Sequence, residues 1–138
     1  MNVERNERVS RLESASVDAA SQGIKALLIL NGGASVALLG FIANVFSLDM
    51  DPERTRLFDA AVSSLVFFAV GAGISVVIHL VSYLANRSYV GALYQKNEDA
   101  YDSDWKRAGR WNSVAIILAL ISLASFGAGV YAIWLATT

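Results

Sequence analysis

The sequence contains one histidine and no cysteine, which limits the chemistry that its side chains can perform. Without cysteine there is no disulfide, no thiolate nucleophile and no zinc–thiolate site. His79 lies in an apolar stretch, with Ser75 four residues before it and Ser82 three residues after it, so the three share one face of a helix. One histidine alone provides too few ligands for zinc, and the sequence therefore predicts no metal site.

Two roles are open to His79 inside an apolar segment. Ionisable side chains within membrane spans are rare, and they face the interior of the bundle or water. A neutral imidazole held by one hydrogen bond, to Ser75, to Ser82 or to Asn31 or Ser35 of another helix, would have a structural role. Because histidine changes its charge near neutral pH, a protonation-sensitive gate is the alternative.

A group of charged residues lies between the second and third apolar stretches. Its spacing matches no calcium-binding loop, and the chain has no G-x-S-x-G, Walker or HExxH motif. A solvated connector is therefore favoured, whose basic half contacts anionic lipid. The sequence predicts no enzyme, no catalytic residue and no cofactor. The group consists of four acids followed by three bases: Glu98, Asp99, Asp102, Asp104, Lys106, Arg107 and Arg110.

The composition is that of a membrane protein. Of the 138 residues, 55 % are hydrophobic and 17 % are charged, whereas a soluble domain carries about 25 % charged residues. The charges are grouped, leaving three long apolar stretches, and runs of about 20 apolar residues are typical of membrane spans. The formal net charge of −1 provides no general basic surface for nucleic acid. We therefore expect a single all-α domain, an integral membrane bundle with three transmembrane helices.

The predicted elements follow from these stretches. Asp51-Pro52-Glu53 is typical of a helix start, with an N-cap followed by proline at the first helical position. Ser103 or Asp104 is the expected cap of a helix that begins within the connector. The expected order is a polar cytosolic N-terminal helix (1–23), transmembrane helix 1 (24–48), transmembrane helix 2 (57–84), a helical cytosolic connector with an interfacial helix (85–113) and transmembrane helix 3 (114–136).

The distribution of Lys and Arg predicts the orientation in the membrane. Three of these residues fall in the N-terminal segment and a fourth, Lys25, at the entry of span one; two lie between the first two spans, five in the connector and none after the third span. We therefore expect a protein of the bacterial inner membrane with its N-terminus in the cytoplasm and its C-terminus outside. Aromatic and basic residues before the third span are the expected interface anchors: Trp105, Lys106, Arg107, Arg110 and Trp111.

Small and polar residues form a stripe along each predicted span. Small residues let helices approach closely in lipid, and the candidates for such packing are Gly33, Ala37, Gly40, Gly71, Ala124, Ala128 and Gly129. The alternative is that polar members line a pore, and the candidates are Asn31, Ser35, Asn44, Ser75, His79 and Ser82. Three spans are too few to enclose a water-filled path, so a conducting form would be a homo-oligomer, most simply a closed ring.

Asn31 and Gly32 lie off the stripe of span one, which continues from Gly33 through Gly40 and Asn44 to Ser47. The packing hypothesis gives no reason for these two residues. A local kink is one explanation that the sequence leaves open. The other is that the Asn31 amide turns towards the helix face that carries Ser75, His79 and Ser82.

The segment LLILNGGASVALLGFIA resembles small uncharacterised bacterial and phage-encoded membrane proteins that have an LNGGA-type first transmembrane helix. The resemblance covers about Ala26–Ala43 and implies no biochemical activity. The size, the three-span layout and the cytoplasmic N-terminus are also similar to one class of phage holins. Holins usually end in a charged cytosolic tail, whereas this chain ends in the uncharged WLATT. No functional residue is carried over from either group.

These observations predict a small homo-oligomeric integral membrane protein of channel or pore type, acting in membrane permeability control or in phage or host defence. The alternative is a non-conducting membrane anchor or regulatory subunit. Such a subunit would recruit a cytosolic protein partner through its N-terminal helix or its connector. In both cases we expect the protein to be embedded in the lipid bilayer. We expect no nucleic acid partner.

Overall fold

The computed structural model describes residues 2–45, 51–95 and 97–138, and all regular structure within them is α-helical. By length and composition, all three helices are able to cross a membrane. This confirms the predicted all-α architecture with three potential transmembrane helices. Ser47 and Lys96, which the sequence analysis placed in span one and in the connector, lie outside the described residues. The helices are α1 (Asn2–Val45), α2 (Pro52–Leu93) and α3 (Glu98–Thr137).

Helix α1 runs without interruption through the predicted N-terminal segment and the first span. Its 44 residues correspond to a length of about 66 Å, roughly twice the thickness of a hydrocarbon core. The prediction of a separate polar helix over 1–23 is therefore wrong, because no proline or turn interrupts the backbone and Gly23 is itself helical. The helix also continues through Asn31, Gly32 and Gly33.

Most of the predicted connector is helical, since residues 85–93 belong to α2 and residues 98–113 to α3. The cap of α3 is Asn97, whose side chain accepts a hydrogen bond from the Asp99 N–H at 3.0 Å. An asparagine cap satisfies a free N–H at the helix start, so α3 begins before the predicted caps Ser103 and Asp104. At the start of α2 the prediction is confirmed. Asp51 accepts a hydrogen bond from the Arg54 N–H at 2.8 Å, and proline follows the cap.

Helices α2 and α3 form an antiparallel hairpin that packs along most of its length. Buried positions of α2 recur three and four residues apart, which is the repeat of a left-handed coiled coil. Most of these positions hold small residues, and small residues let two backbones approach closely. They begin with Ala61, Ser64, Phe68, Gly71, Ser75 and Ile78. In α3 the buried positions recur every seven residues, at Ala108, Ala115, Ser122, Gly129 and Ala136.

Cross-helix contacts fix the register of this hairpin towards the C-terminus of α3. Ser64 Oγ donates to the Gly129 carbonyl oxygen at 2.8 Å. A Cβ atom added to Gly129 would lie 2.6 Å from Cε1 of Phe68, so the phenyl ring packs directly on the glycine backbone. Further along, Arg56 Nη2 donates to the Ala136 carbonyl oxygen at 2.5 Å. This places a cation at the negative end of the α3 dipole, which is favourable.

Helix α1 packs mainly against α2 and is the most exposed of the three helices. Ile24 joins a small core with Ile78, Val81 and Ala115, whereas Ile29 and Val36 are 73 % and 70 % exposed. Apolar surface of this extent is unfavourable in water and suits lipid or another helix. The packing and composition together indicate a multi-pass membrane protein.

Candidate functional site

Four residues from the three helices meet in a buried polar junction, formed by Asn31, Gly71, Ser75 and Ser122. Asn31 Nδ2 donates to the Leu27 carbonyl oxygen at 3.1 Å and to Ser122 Oγ at 3.3 Å. Ser122 Oγ in turn donates to the Gly71 carbonyl oxygen at 2.9 Å. Ser75 Oγ lies 2.9 Å from that same oxygen and 3.0 Å from Ser122 Oγ. All three polar side chains are 0 % exposed.

Gly71 allows Asn31 to enter this junction. A Cβ atom on Gly71 would overlap the amide of Asn31, at 2.6 Å from its Cγ. Since a Cβ would replace one of the two Cα hydrogens, that hydrogen points at the amide. Asn31 Oδ1 has no hydrogen-bond donor among the described residues. This oxygen instead accepts a weak C–H···O contact from Gly71.

The structure buries two of the predicted pore candidates, Asn31 and Ser75, between the helices of the chain. Ser35 is half-buried and donates to the Asn31 carbonyl oxygen at 2.9 Å, one turn away in the same helix. Asn44 is exposed, and its Nδ2 donates to the Gly40 carbonyl oxygen at 2.9 Å. Of these four side chains, only that of Asn44 is exposed on the surface of the chain.

The outer face of α1, defined by Gly33, Ala37, Gly40 and Asn44, is exposed along its whole length. A Cβ atom added to Gly33 or Gly40 would meet no atom within 4 Å among the described residues. The helices of a single chain therefore leave these glycines uncovered. This differs from Gly71, which contacts another helix of the same chain.

The predicted packing residues of α3 are also divided between contact and exposure. Gly129 is buried against Phe68, as described above. Ala128 is half-buried, and Ala124 is exposed. Of these three residues, only Gly129 is fully buried in the contact between helices.

His79 and Ser82 lie in a cavity of about 320 Å³ between the three helices, which we name the His79 pocket. His79 is half-buried, and no hydrogen bond joins it to Ser75 or Ser82 among the described residues. Ser75 instead bonds within the polar junction. The side chains with a polar group that line the pocket are Ser21, His79, Ser82, Tyr83, Asn86, Tyr89 and Asn112.

The predicted interface anchors occupy two different environments. Trp105 is 47 % exposed and contacts the rings of Tyr89 and Tyr101, with centroid distances of 4.9 and 5.7 Å. Trp111 is half-buried and packs against the core around Ile24. The three basic anchors are exposed, and Arg107 forms an ion pair of 3.7 Å with Asp104. They are Lys106, Arg107 and Arg110.

Two serines that matter in the structure, Ser64 and Ser122, are not among the site residues predicted from the sequence. Both residues make cross-helix hydrogen bonds. Their spacing carries a signal, since Ser64 precedes Gly71 by seven residues and Ser122 precedes Gly129 by seven. A serine and a glycine one heptad apart place a hydroxyl group and a close backbone contact on the same helical seam.

A scan against protein-family models finds no match to this chain, and comparisons with curated proteins and with solved structures find none either. Within the described residues, no three His, Asp or Glu side chains are grouped so that they would hold a metal ion.

Proposed function

We propose that this chain is one subunit of a homo-oligomeric channel or pore of the bacterial inner membrane. Its role is the control of membrane permeability, or phage or host defence. The three apolar helices support membrane insertion. The excess of Lys and Arg in the N-terminal segment and around the α2–α3 turn supports a cytoplasmic location for that end of the bundle.

The observation that carries the proposal is the uncovered outer face of α1. Lipid provides no strong hydrophobic force between helices, so helices associate where small residues allow close contact. Within the chain, Gly71 and Gly129 are used in this way. Gly33 and Gly40 have the same character and contact no other helix of the described chain. A second copy of the chain is the partner that supplies the missing contact.

Any conducting path must lie between subunits. The meeting point of the three helices is filled by the polar junction, whose side chains are fully buried. Asn44 and the apolar side chains of Ile29 and Val36 are exposed on α1. A ring of α1 helices would therefore combine polar and apolar lining, and hydrophobic constrictions of this kind gate channels by excluding water.

Recording of the purified protein in planar bilayers tests conduction. We expect discrete conductance steps for the unaltered chain and their loss in Gly40→Leu, because the leucine side chain would hold neighbouring α1 helices apart. The matched control is Gly73→Leu, since Gly73 is also exposed and uncontacted but lies on α2. Absence of conductance in both voltage polarities and between about pH 5 and 8, where histidine changes its charge, would refute the proposal.

The turn between α2 and α3 supports a second function, that of a membrane anchor or regulatory subunit which recruits a cytosolic protein. Large side chains are exposed around this turn, beyond the apolar part of both helices: Leu93, Tyr94, Tyr101 and Trp105. Exposed aromatic residues are enriched at protein interfaces. Pull-down from native membranes with the unaltered chain and with Tyr94→Ala separates the two functions. Recovery of the chain alone in both cases would count against a cytosolic partner.

A further inference from the structure

Placing the middle of the apolar part of α2 at the centre of a bilayer puts the His79 pocket where lipid headgroups meet acyl chains. Gly71 is near the middle of the apolar part of α2, and His79 and Asn86 follow it by eight and fifteen residues. At 1.5 Å per residue these positions are about 12 and 22 Å from the level of Gly71. The hydrocarbon core extends about 15 Å on each side of its centre. The pocket therefore opens across the boundary of the leaflet on the side of the α2–α3 turn.

One wall of the pocket is formed by polar side chains. Neither His79 nor the amides of Asn86 and Asn112 form a hydrogen bond with another described residue. Among the described side chains that line the cavity there is no carboxylate and no Lys or Arg. The other wall is apolar and includes Val17 and Ile24. Hydrogen-bond donors beside an apolar wall match a ligand that has both a phosphate group and hydrocarbon chains.

We propose that the His79 pocket binds the phosphate group of a phospholipid from this leaflet. The side-chain amides and the imidazole donate hydrogen bonds to the phosphate oxygens. The acyl chains leave along the exposed apolar surface next to the pocket, where Leu80 and Tyr83 are exposed. A free phosphate would offer the same oxygens, but it would gain nothing from this apolar surface and would have to enter the edge of the bilayer. The inference is independent of oligomerisation and of conduction.

Native mass spectrometry of the full chain in detergent tests this site. The probes are phosphatidylglycerol and a diacylglycerol with the same acyl chains, which differ by the phosphoglycerol headgroup. We expect retention of phosphatidylglycerol and not of diacylglycerol, and no displacement by inorganic phosphate. Equal retention of the two lipids, or of neither, would overturn the proposal. Displacement by inorganic phosphate would show that free phosphate is the ligand and would overturn the assignment to lipid.

Variants locate the bound lipid. Asn86→Leu combined with Asn112→Leu should weaken retention about tenfold, the effect of losing two hydrogen bonds of about 0.7 kcal/mol each. Both residues are exposed, so the helices should be retained, and circular dichroism verifies this.

Asn44→Leu is the matched control on the outer face of α1 and should leave retention unchanged. His79→Gln, which keeps a donor of similar size, should retain more lipid than His79→Leu. Unchanged retention in both the double variant and His79→Leu would place the lipid elsewhere.

Discussion

At the scale of single residues, the contact of the three helices depends on Gly71 and Asn31. Among the described side chains of α1, Asn31 is the one polar side chain that is 0 % exposed, and it reaches both other helices at a point where Gly71 has no side chain. Hydrogen bonds between transmembrane helices contribute about 0.6 kcal/mol each on average. The close fit at Gly71 therefore matters at least as much for stability as the hydrogen bonds of the junction.

We expect Gly71→Ala to lower the free energy of unfolding by about 1–3 kcal/mol, the usual cost of an extra methyl group in a packed site. The new methyl group would overlap the Asn31 amide. Reversible unfolding in mixed micelles, followed by circular dichroism, measures the change. Gly73→Ala is the control, because its added methyl group meets nothing and alanine favours the helix by up to about 1 kcal/mol. Equal stability of the two variants would mean that Gly71 is not a close contact.

At the scale of the helices, the start of α2 was easier to predict from the sequence than the start of α3. The start of α2 depends on three consecutive residues, and its cap and proline were predictable from them. The start of α3 depends on a choice between several polar residues, and Asn97 makes the cap in place of Ser103 or Asp104. The sequence alone does not decide this choice, since all three residue types are good caps.

Asp51→Ala should destabilise the protein by about 1 kcal/mol, because the N–H of Arg54 then loses its acceptor at the start of α2. Asp51→Asn should retain most of the stability, since asparagine is an equally good cap. The same unfolding measurement applies to both variants. A similar loss in both would show that the charge of Asp51, and not its role as a hydrogen-bond acceptor, stabilises the helix.

The buried side of each helix was less predictable than its location. On α1 the sequence indicates the face of Gly33 and Gly40 as the packed one and leaves Asn31 without a reason. In the described chain Asn31 is buried and the two glycines are exposed. A face of small residues fits a helix of the same chain and a helix of another chain equally well, because the same close contact serves both. The pattern alone therefore does not identify the partner.

At the scale of the whole molecule, the three helices are unequally packed. The α2–α3 hairpin has a long seam in which most buried residues are small, whereas α1 packs mainly against α2 and is the most exposed helix. In the proposed assembly, α1 joins copies of the chain and the hairpin supports α1 from outside. The polar junction holds the three helices of each subunit in register as the subunits meet.

Disulfide crosslinking between single cysteines tests this central claim most directly, because the natural chain contains no cysteine. Ala37→Cys places a thiol on the outer face of α1, and Gly73→Cys places one on an exposed position of α2. After oxidation in native membranes, we predict a covalent dimer from Ala37→Cys and little or none from Gly73→Cys. Equal crosslinking of both variants, or preferential crosslinking through Gly73→Cys, would contradict assembly through α1.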